Sequence, residues 1–293
     1  ERERERERES MIRRAIRLLL GLVVLVGAVQ SARRKVLFIG NSYTSYNGGL
    51  HQILKRMAEN RGHTIVSEAQ TAGGARLRDH ASSGAVAEKI KSRQWDYVIL
   101  QAQSQEPSYS DGYVATYVLP PAKQLSDMIR ENHACSEPLF FMTWGREYVG
   151  DMAAYQAMDD QLRRSYMRMG EQNEAPVSPV GAVWRKLRTD YPEIGLYTGD
   201  GSHPSYAGSY LAAATFYAMI FQEDPTAVTF RGYLSSSVAR TIRNYARDVA
   251  FGGMDTWVPQ ALDFTVTLNA AEVRITGHSP NVKADSYGWA ISD

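Results

Sequence analysis

The stretch Lys35-Val36-Leu37-Phe38-Ile39-Gly40-Asn41-Ser42-Tyr43-Thr44 decides the architecture of this chain. Its opening is a strand-length apolar run, and a strand that is apolar on both faces needs helices on both sides to cover it. The next segment supplies a cover. From Gly48 to Asn60 the apolar Leu50, Ile53, Leu54 and Met57 recur at helical spacing, and Gly62 follows as a stop. The same alternation continues outward: Thr64 to Ala69, Trp95 to Leu100 and Pro138 to Thr143 read as further strands, with a short fifth at Ala175 to Val180. Helical patterns at Tyr113 to Asn132, Asp151 to Gln172, Tyr206 to Phe221 and Leu234 to Phe251 occupy the gaps and close the run. This order predicts an α/β fold of three layers, a parallel sheet between two layers of helices. After Gly252-Gly253 the pattern changes to polar and apolar alternation at Asp263 to Leu268 and Glu272 to Thr276, which reads as a hairpin about Asn269-Ala270-Ala271. The expected organisation is a core over 33–253 and a small β-rich extension over 254–293.

With 44% hydrophobic and 22% charged residues in 293, the composition is that of globular protein and excludes a disordered, collagenous or multi-span membrane chain. Thirty-three basic residues against 32 acidic ones give a net charge of +1, so no bulk charge draws in nucleic acid. A single cysteine, Cys135, rules out a disulfide framework within the chain and a zinc site built of several thiols; lying between a helix and a strand, it reads as structural. His51, His63, His80, His133 and His278 lack ligand spacing, and no metal or cofactor is expected.

The amino terminus divides in two. Residues 1–10 alternate Glu and Arg up to Glu9 and hold nothing apolar to bury, so they read as an extension foreign to the fold, a tag or a misplaced start. From Met11, Arg13 and Arg14 precede an apolar stretch ending in Val29-Gln30-Ser31-Ala32, the order of a secretory signal over 11–32. Its clean apolar run, Leu18 to Val29, is about 12 residues against roughly 20 for a bilayer span, so no stable membrane association is expected after cleavage. Loss of 1–32 removes seven Arg and five Glu from the 33 and 32, leaving 26 basic and 27 acidic residues. The expected location is secreted or periplasmic.

Four short elements carry chemistry. Gly40-Asn41-Ser42 places a serine just past a buried strand, where open α/β sheets bind ligands; the same turn also serves simply to cap a helix. In Asp200-Gly201-Ser202-His203 an imidazole able to take a hydroxyl proton stands three residues from a carboxylate able to orient it, although Asp200 also suits a plain turn. Thr71-Ala72-Gly73-Gly74-Ala75 follows the second strand and Gln101-Ala102-Gln103-Ser104-Gln105 the third, so a glycine N–H and a side-chain amide can serve as donors to a developing oxyanion beside the Ser42 N–H. Tyr43, Tyr46, Tyr109, Tyr113, Trp144 and Tyr206 cluster beside these elements in sequence. Of these, Tyr43, Trp144 and Tyr109 are the candidate substrate wall.

Taken in order, strand-Gly-Asn-Ser, strand-Gly-Gly, strand-Gln and a late Asp-x-x-His resemble the SGNH hydrolase (GDSL-like) superfamily over about residues 35 to 222. Phe38 to Tyr46, Val98 to Gln105 and Gly201 to Ser205 are also similar to a domain family of unknown function within it, often secreted by bacteria. The resemblance implies a flavodoxin-like parallel sheet, Ser42 as nucleophile, Asp200 and His203 completing the triad, and Ser42 with Gly74 or Gly73 in the oxyanion hole. It departs from the family at one place. The asparagine of the family's Gly-x-Asn-Asp block is absent, and Gln101-Ala102-Gln103-Ser104 stands there, closer to the Gln-Gly-Glu-Ser block of some carbohydrate acetylesterases. Aligning on the strand end gives the amide role to Gln103, aligning on the acetylesterase block gives it to Gln101, and the longer glutamine side chain favours Gln101. The activity implied is a serine esterase removing acetyl or other small acyl groups from a small-molecule or glycan ester. The alternatives are a lipase, lysophospholipase or thioesterase on the same machinery, or a degenerate fold that binds glycan without cleaving it.

Overall fold

The computed structural model describes residues 31–259, 263–269 and 272–278. Residues 1–30, which hold the extension 1–10 and most of the signal segment, and residues 260–262, 270–271 and 279–293 lie outside the described residues. Five strands, β1 (Arg33–Gly40), β2 (Thr64–Thr71), β3 (Tyr97–Leu100), β4 (Glu137–Phe141) and β5 (Val177–Ser178), form one parallel sheet in the order β2-β1-β3-β4-β5. The side-chain alternation along β1 shows how it is covered. Val36 and Phe38 pack with Leu50, Ile53, Leu54 and Met57 and with the helix Tyr206–Phe221, whereas Leu37 and Ile39 pack with Val86, Ile90, Leu125 and Ile129 on the opposite face. All four strand residues are fully buried, each worth about 1.5–3 kcal/mol over an exposed position. The sequence expectation of a three-layer α/β core is met.

Strand order places the site. The chain leaves β1 for β2 on one side, then passes to β3 on the other, so the carboxyl ends of β1 and β3 flank the point where connections diverge. In open α/β sheets ligands bind in that crevice.

Some element bounds differ from the expectation. The pattern from Tyr113 to Asn132 is two helices, Asp111–Tyr117 and Leu119–Asn132, because Pro120 and Pro121 cannot continue a helix but suit its first turn, where N–H groups go unused. The helix after β1 is Leu50–Asn60, since Gly48 and Gly49 adopt φ of 83° and 92°. The last long pattern is the helix Ser236–Ala246 continued by a wider turn over Arg247–Phe251. The expected hairpin is present as antiparallel β6 (Asp263–Asn269) and β7 (Glu272–His278). Cys135, placed between a helix and a strand as the sequence suggests, is exposed in the turn before β4, at the sheet edge opposite the crevice. Among the described residues no helix is long and apolar enough to cross a membrane.

Candidate active site

Ser42 begins a single helical turn, Ser42–Ser45, directly beyond β1. The residues before it hold that turn. At Gly40 a Cβ would meet Thr44 Oγ1 at 2.5 Å and Gln101 Oε1 at 2.6 Å, so only glycine fits between β1 and β3 here. Asn41 caps the turn by accepting the Tyr43 N–H at 3.1 Å, and its Nδ2 donates to the Ala75 carbonyl at 3.1 Å, tying the serine to the loop after β2. The position two residues past a parallel strand is thereby fixed from both neighbouring strands.

The three triad candidates meet. Ser42 Oγ lies 2.8 Å from His203 Nε2, and His203 Nδ1 lies 2.5 Å from Asp200 Oδ2. A nitrogen facing a carboxylate carries the proton, so Nε2 is left as the acceptor for the serine hydroxyl. Asp200 is itself fixed, its Oδ1 accepting from the Ser202 N–H, the His203 N–H and the Thr198 hydroxyl, each at 2.9 Å. The hydrogen bond to the His203 ring and then those main-chain donors, against the opposing effect of burial, hold its carboxyl far below the usual carboxylate range. The loop is closed at its base by Thr198 N–H on His203 O at 2.9 Å and Ser205 N–H on Leu196 O at 2.8 Å. Tyr46 stacks on the imidazole with centroids 4.4 Å apart and rings 14° from parallel.

The free amide differs from the expectation. Gln101, favoured on side-chain length, is completely buried and its amide is spent: Oε1 accepts from the Asn41 N–H at 3.0 Å and Thr44 Oγ1 at 2.8 Å, while Nε2 donates to Asn41 Oδ1 at 2.7 Å and Ala102 O at 2.8 Å. It braces the Ser42 turn and has no donor left for a ligand. Gln103 is the reverse case. Its Oε1 accepts from the N–H groups of Gln105 at 2.7 Å and Glu106 at 3.1 Å, which identifies that atom as the oxygen and leaves Nε2 without a protein acceptor among the described residues. The main-chain N–H groups of Ser42, Gly73 and Gly74 likewise have no protein acceptor there. Of the two glycines, Gly74 is the one that needs to be glycine, with φ of 67°.

Two of the expected substrate-wall residues belong instead to the core. Tyr43 is 2% exposed and Trp144 fully buried, because both turn inward into a column in which Tyr43 stacks on Trp144 at 4.6 Å and Trp144 on Trp184 at 3.9 Å. The column supports the His203 loop from beneath: Tyr43 OH lies 2.7 Å from Ser202 Oγ, and Trp144 Nε1 donates to Ser202 O at 3.1 Å. Tyr109 is 42% exposed at the end of the turn after Gln103 and remains open to a ligand. Asn47, which no catalytic motif marks, is in the left-handed region at φ 55°, and its Nδ2 donates to Pro204 O, Ser205 O and Ser209 Oγ at 3.0, 3.1 and 2.8 Å. It clamps the Ser42 segment to the histidine loop, and the Asn47-Gly48 turn signal is its trace in the sequence. Glu106, buried in the turn after Gln103, is likewise marked by no motif. Among the described residues no cluster of His, Cys, Asp or Glu could hold a metal ion.

No family model and no curated protein matches the chain. Solved structures do. A DUF4886 family protein from Bacteroides uniformis superposes with a TM-score of 0.63 at 17% identity, covering 74% of this chain and 94% of that one. A protein from Slackia heliotrinireducens assigned to the SGNH hydrolases gives 0.53 at 23% identity, over 64% of this chain and 99% of that one. A GDSL-like lipase assignment from Parabacteroides merdae gives 0.50 at 15% identity, over 64% and 94%. Likeness at these identities is likeness of fold, and it agrees with the five-stranded parallel sheet: the chain has the SGNH hydrolase fold.

Proposed function

We propose that this protein is a serine hydrolase of carboxylic esters that removes acetyl or other small acyl groups from a carbohydrate. The observation that carries the reading is the continuous chain Ser42 Oγ, His203 Nε2, His203 Nδ1, Asp200 Oδ2, with contacts of 2.8 and 2.5 Å. In this mechanism Ser42 Oγ attacks the ester carbonyl carbon as its proton passes to His203 Nε2, and Asp200 stabilises the imidazolium. The oxyanion is received by the N–H groups of Ser42 and Gly74 and by Gln103 Nε2. Collapse expels the alcohol, protonated by His203, and leaves an acyl-Ser42 that water, deprotonated by His203, then hydrolyses. The carbohydrate side rests on surface character. Of the seven exposed large hydrophobic residues described, five are tyrosines, among them Tyr109 and Tyr148, and Tyr148 lies against Gly201 of the histidine loop. Such rings suit sugar faces better than acyl chains. Action outside the cytoplasm follows from reading 11–32 as a secretory signal.

The test is hydrolysis of p-nitrophenyl esters from acetate to palmitate, with Ser42→Ala beside wild type. The expected result is turnover that falls with chain length and is lost by about 10³-fold or more in the variant. Retention of a tenth of kcat by Ser42→Ala removes Ser42 as nucleophile, and a preference for palmitate replaces the acetylesterase reading with a lipase.

A further inference from the structure

The donors of the hole proposed above come from loops after different strands, Gly74 after β2 and Gln103 after β3, and one residue, Glu106, bonds to both loops, with its carboxylate to the arginines that follow Gly74 and with its main-chain N–H to Gln103. Glu106 is 3% exposed. Its Oε1 accepts from Arg78 Nη2 at 2.9 Å and from the Tyr113 hydroxyl at 2.6 Å, and lies 3.4 Å from Arg76 Nε. Arg76 begins two residues beyond Gly74, and Asp79 Oδ2 accepts its N–H at 2.8 Å, so the segment that Glu106 grips is the one leading directly out of the glycine turn. Through its main chain the same residue donates to Gln103 Oε1 at 3.1 Å, one of the two bonds that aim Nε2 away from the turn.

We propose that Glu106 is the positioning residue that locks the two halves of the oxyanion hole to each other, its carboxylate holding the Gly74 loop through Arg76 and Arg78 while its N–H orients the Gln103 amide. The proposal rests on the esterase reading. A buried carboxylate paired with guanidinium groups confers little stability over apolar packing of the same volume, and what it supplies is a directional, hydrogen-bonded geometry. Geometry is what an oxyanion hole needs, because donors act on the transition state only when they already stand at hydrogen-bond distance from the developing charge.

The experiment compares wild type, Glu106→Gln, Gln103→Ala and the double variant with p-nitrophenyl acetate, and measures inhibition by trifluoroacetone, whose adduct with the serine places an oxyanion in the hole. Glu106→Gln keeps the main-chain donor and the side-chain volume and removes the charge. The expected outcome is a kcat lower by about 10- to 100-fold with KM within about threefold of wild type, and ketone affinity reduced in step with kcat/KM. In the Gln103→Ala background the same substitution has a smaller effect, since part of what it acts through is already gone. A lowered melting temperature with kcat within twofold of wild type overturns the proposal, as does an equal effect in both backgrounds. Where Glu106→Gln does not fold, Arg78→Met, which removes one arm of the cluster at a partly exposed position, is expected to give the same split between kcat and KM, and unchanged kcat there overturns it. An inactive wild type overturns the esterase reading, whereas an active wild type beside an unimpaired Glu106→Gln overturns the role of Glu106 alone.

Discussion

Gln101 and Gln103 stand two residues apart at the end of one strand, and the structure predicts that alanine at each produces opposite phenotypes. In Gln101→Ala the buried Asn41 N–H and Thr44 hydroxyl lose their acceptor and Asn41 Oδ1 loses one of its donors. An orphaned buried group costs about 1–3 kcal/mol, so the loss is about 3–5 kcal/mol, and at roughly 2–4 °C per kcal/mol for a domain of this size the melting temperature falls by about 10 °C. In Gln103→Ala the two main-chain N–H groups released lie at a partly exposed turn where water can replace the acceptor, so the melting temperature falls by about 5 °C or less. Its effect is on chemistry instead. Loss of one oxyanion donor lowers kcat by about 10²- to 10³-fold with little change in KM, because the hydrogen bond is strongest in the transition state. Gln101→Ala also loosens Asn41, and the folded fraction turns over more slowly than wild type but faster than Gln103→Ala. Thermal melts by circular dichroism and steady-state kinetics on p-nitrophenyl acetate read both quantities from one preparation. A Gln103→Ala enzyme with kcat within threefold of wild type, or a Gln101→Ala enzyme that melts with wild type and loses more kcat than Gln103→Ala, refutes the assignment.

Two further outcomes depend on pH. With His203 as general base, kcat/KM is lost when the imidazole is protonated, and that dependence on pH disappears in His203→Ala; Asp200, whose carboxyl is held far below the usual carboxylate range, adds no limb of its own, so a flat wild-type profile with chemistry limiting counts against the base. Asp159 lies on the helix Met152–Gln172 and faces Arg185 of the helix Val180–Asp190, and burial pushes its carboxyl up to about 6 against the pull of Arg185. Its folded value lies above its unfolded one, so the stability it contributes is present below about pH 4 and lost as pH rises through about 6. Asp159→Asn, which keeps an acceptor for the Gly145 N–H, therefore gains in melting temperature relative to wild type on going from pH 5 to pH 8; a difference that stays constant over that range overturns this account.

The apolar run at Val36 to Ile39 and the alternation of strand and helix after it determined a parallel α/β sandwich from the sequence alone, because burial on both faces leaves a continuous apolar signature that no exposed strand shows. Asp200 and His203 were legible as a pair for a local reason, since both lie on one tight loop. Their meeting with Ser42, 161 residues away from His203, follows from the sheet order, which brings the carboxyl ends of β1 and its neighbours to one edge. Other assignments were beyond any reading of spacing. Tyr43 and Trp144 stand beside the site in sequence, but whether an aromatic ring faces ligand or core depends on what the layer beneath offers, and Trp184 offered a stacking face. Gln101 and Gln103 share a residue type and a strand end, and only the tertiary structure decided between them: an amide can donate to a ligand only when the protein has not already used it, and Asn41 and Thr44, arriving from β1, use that of Gln101.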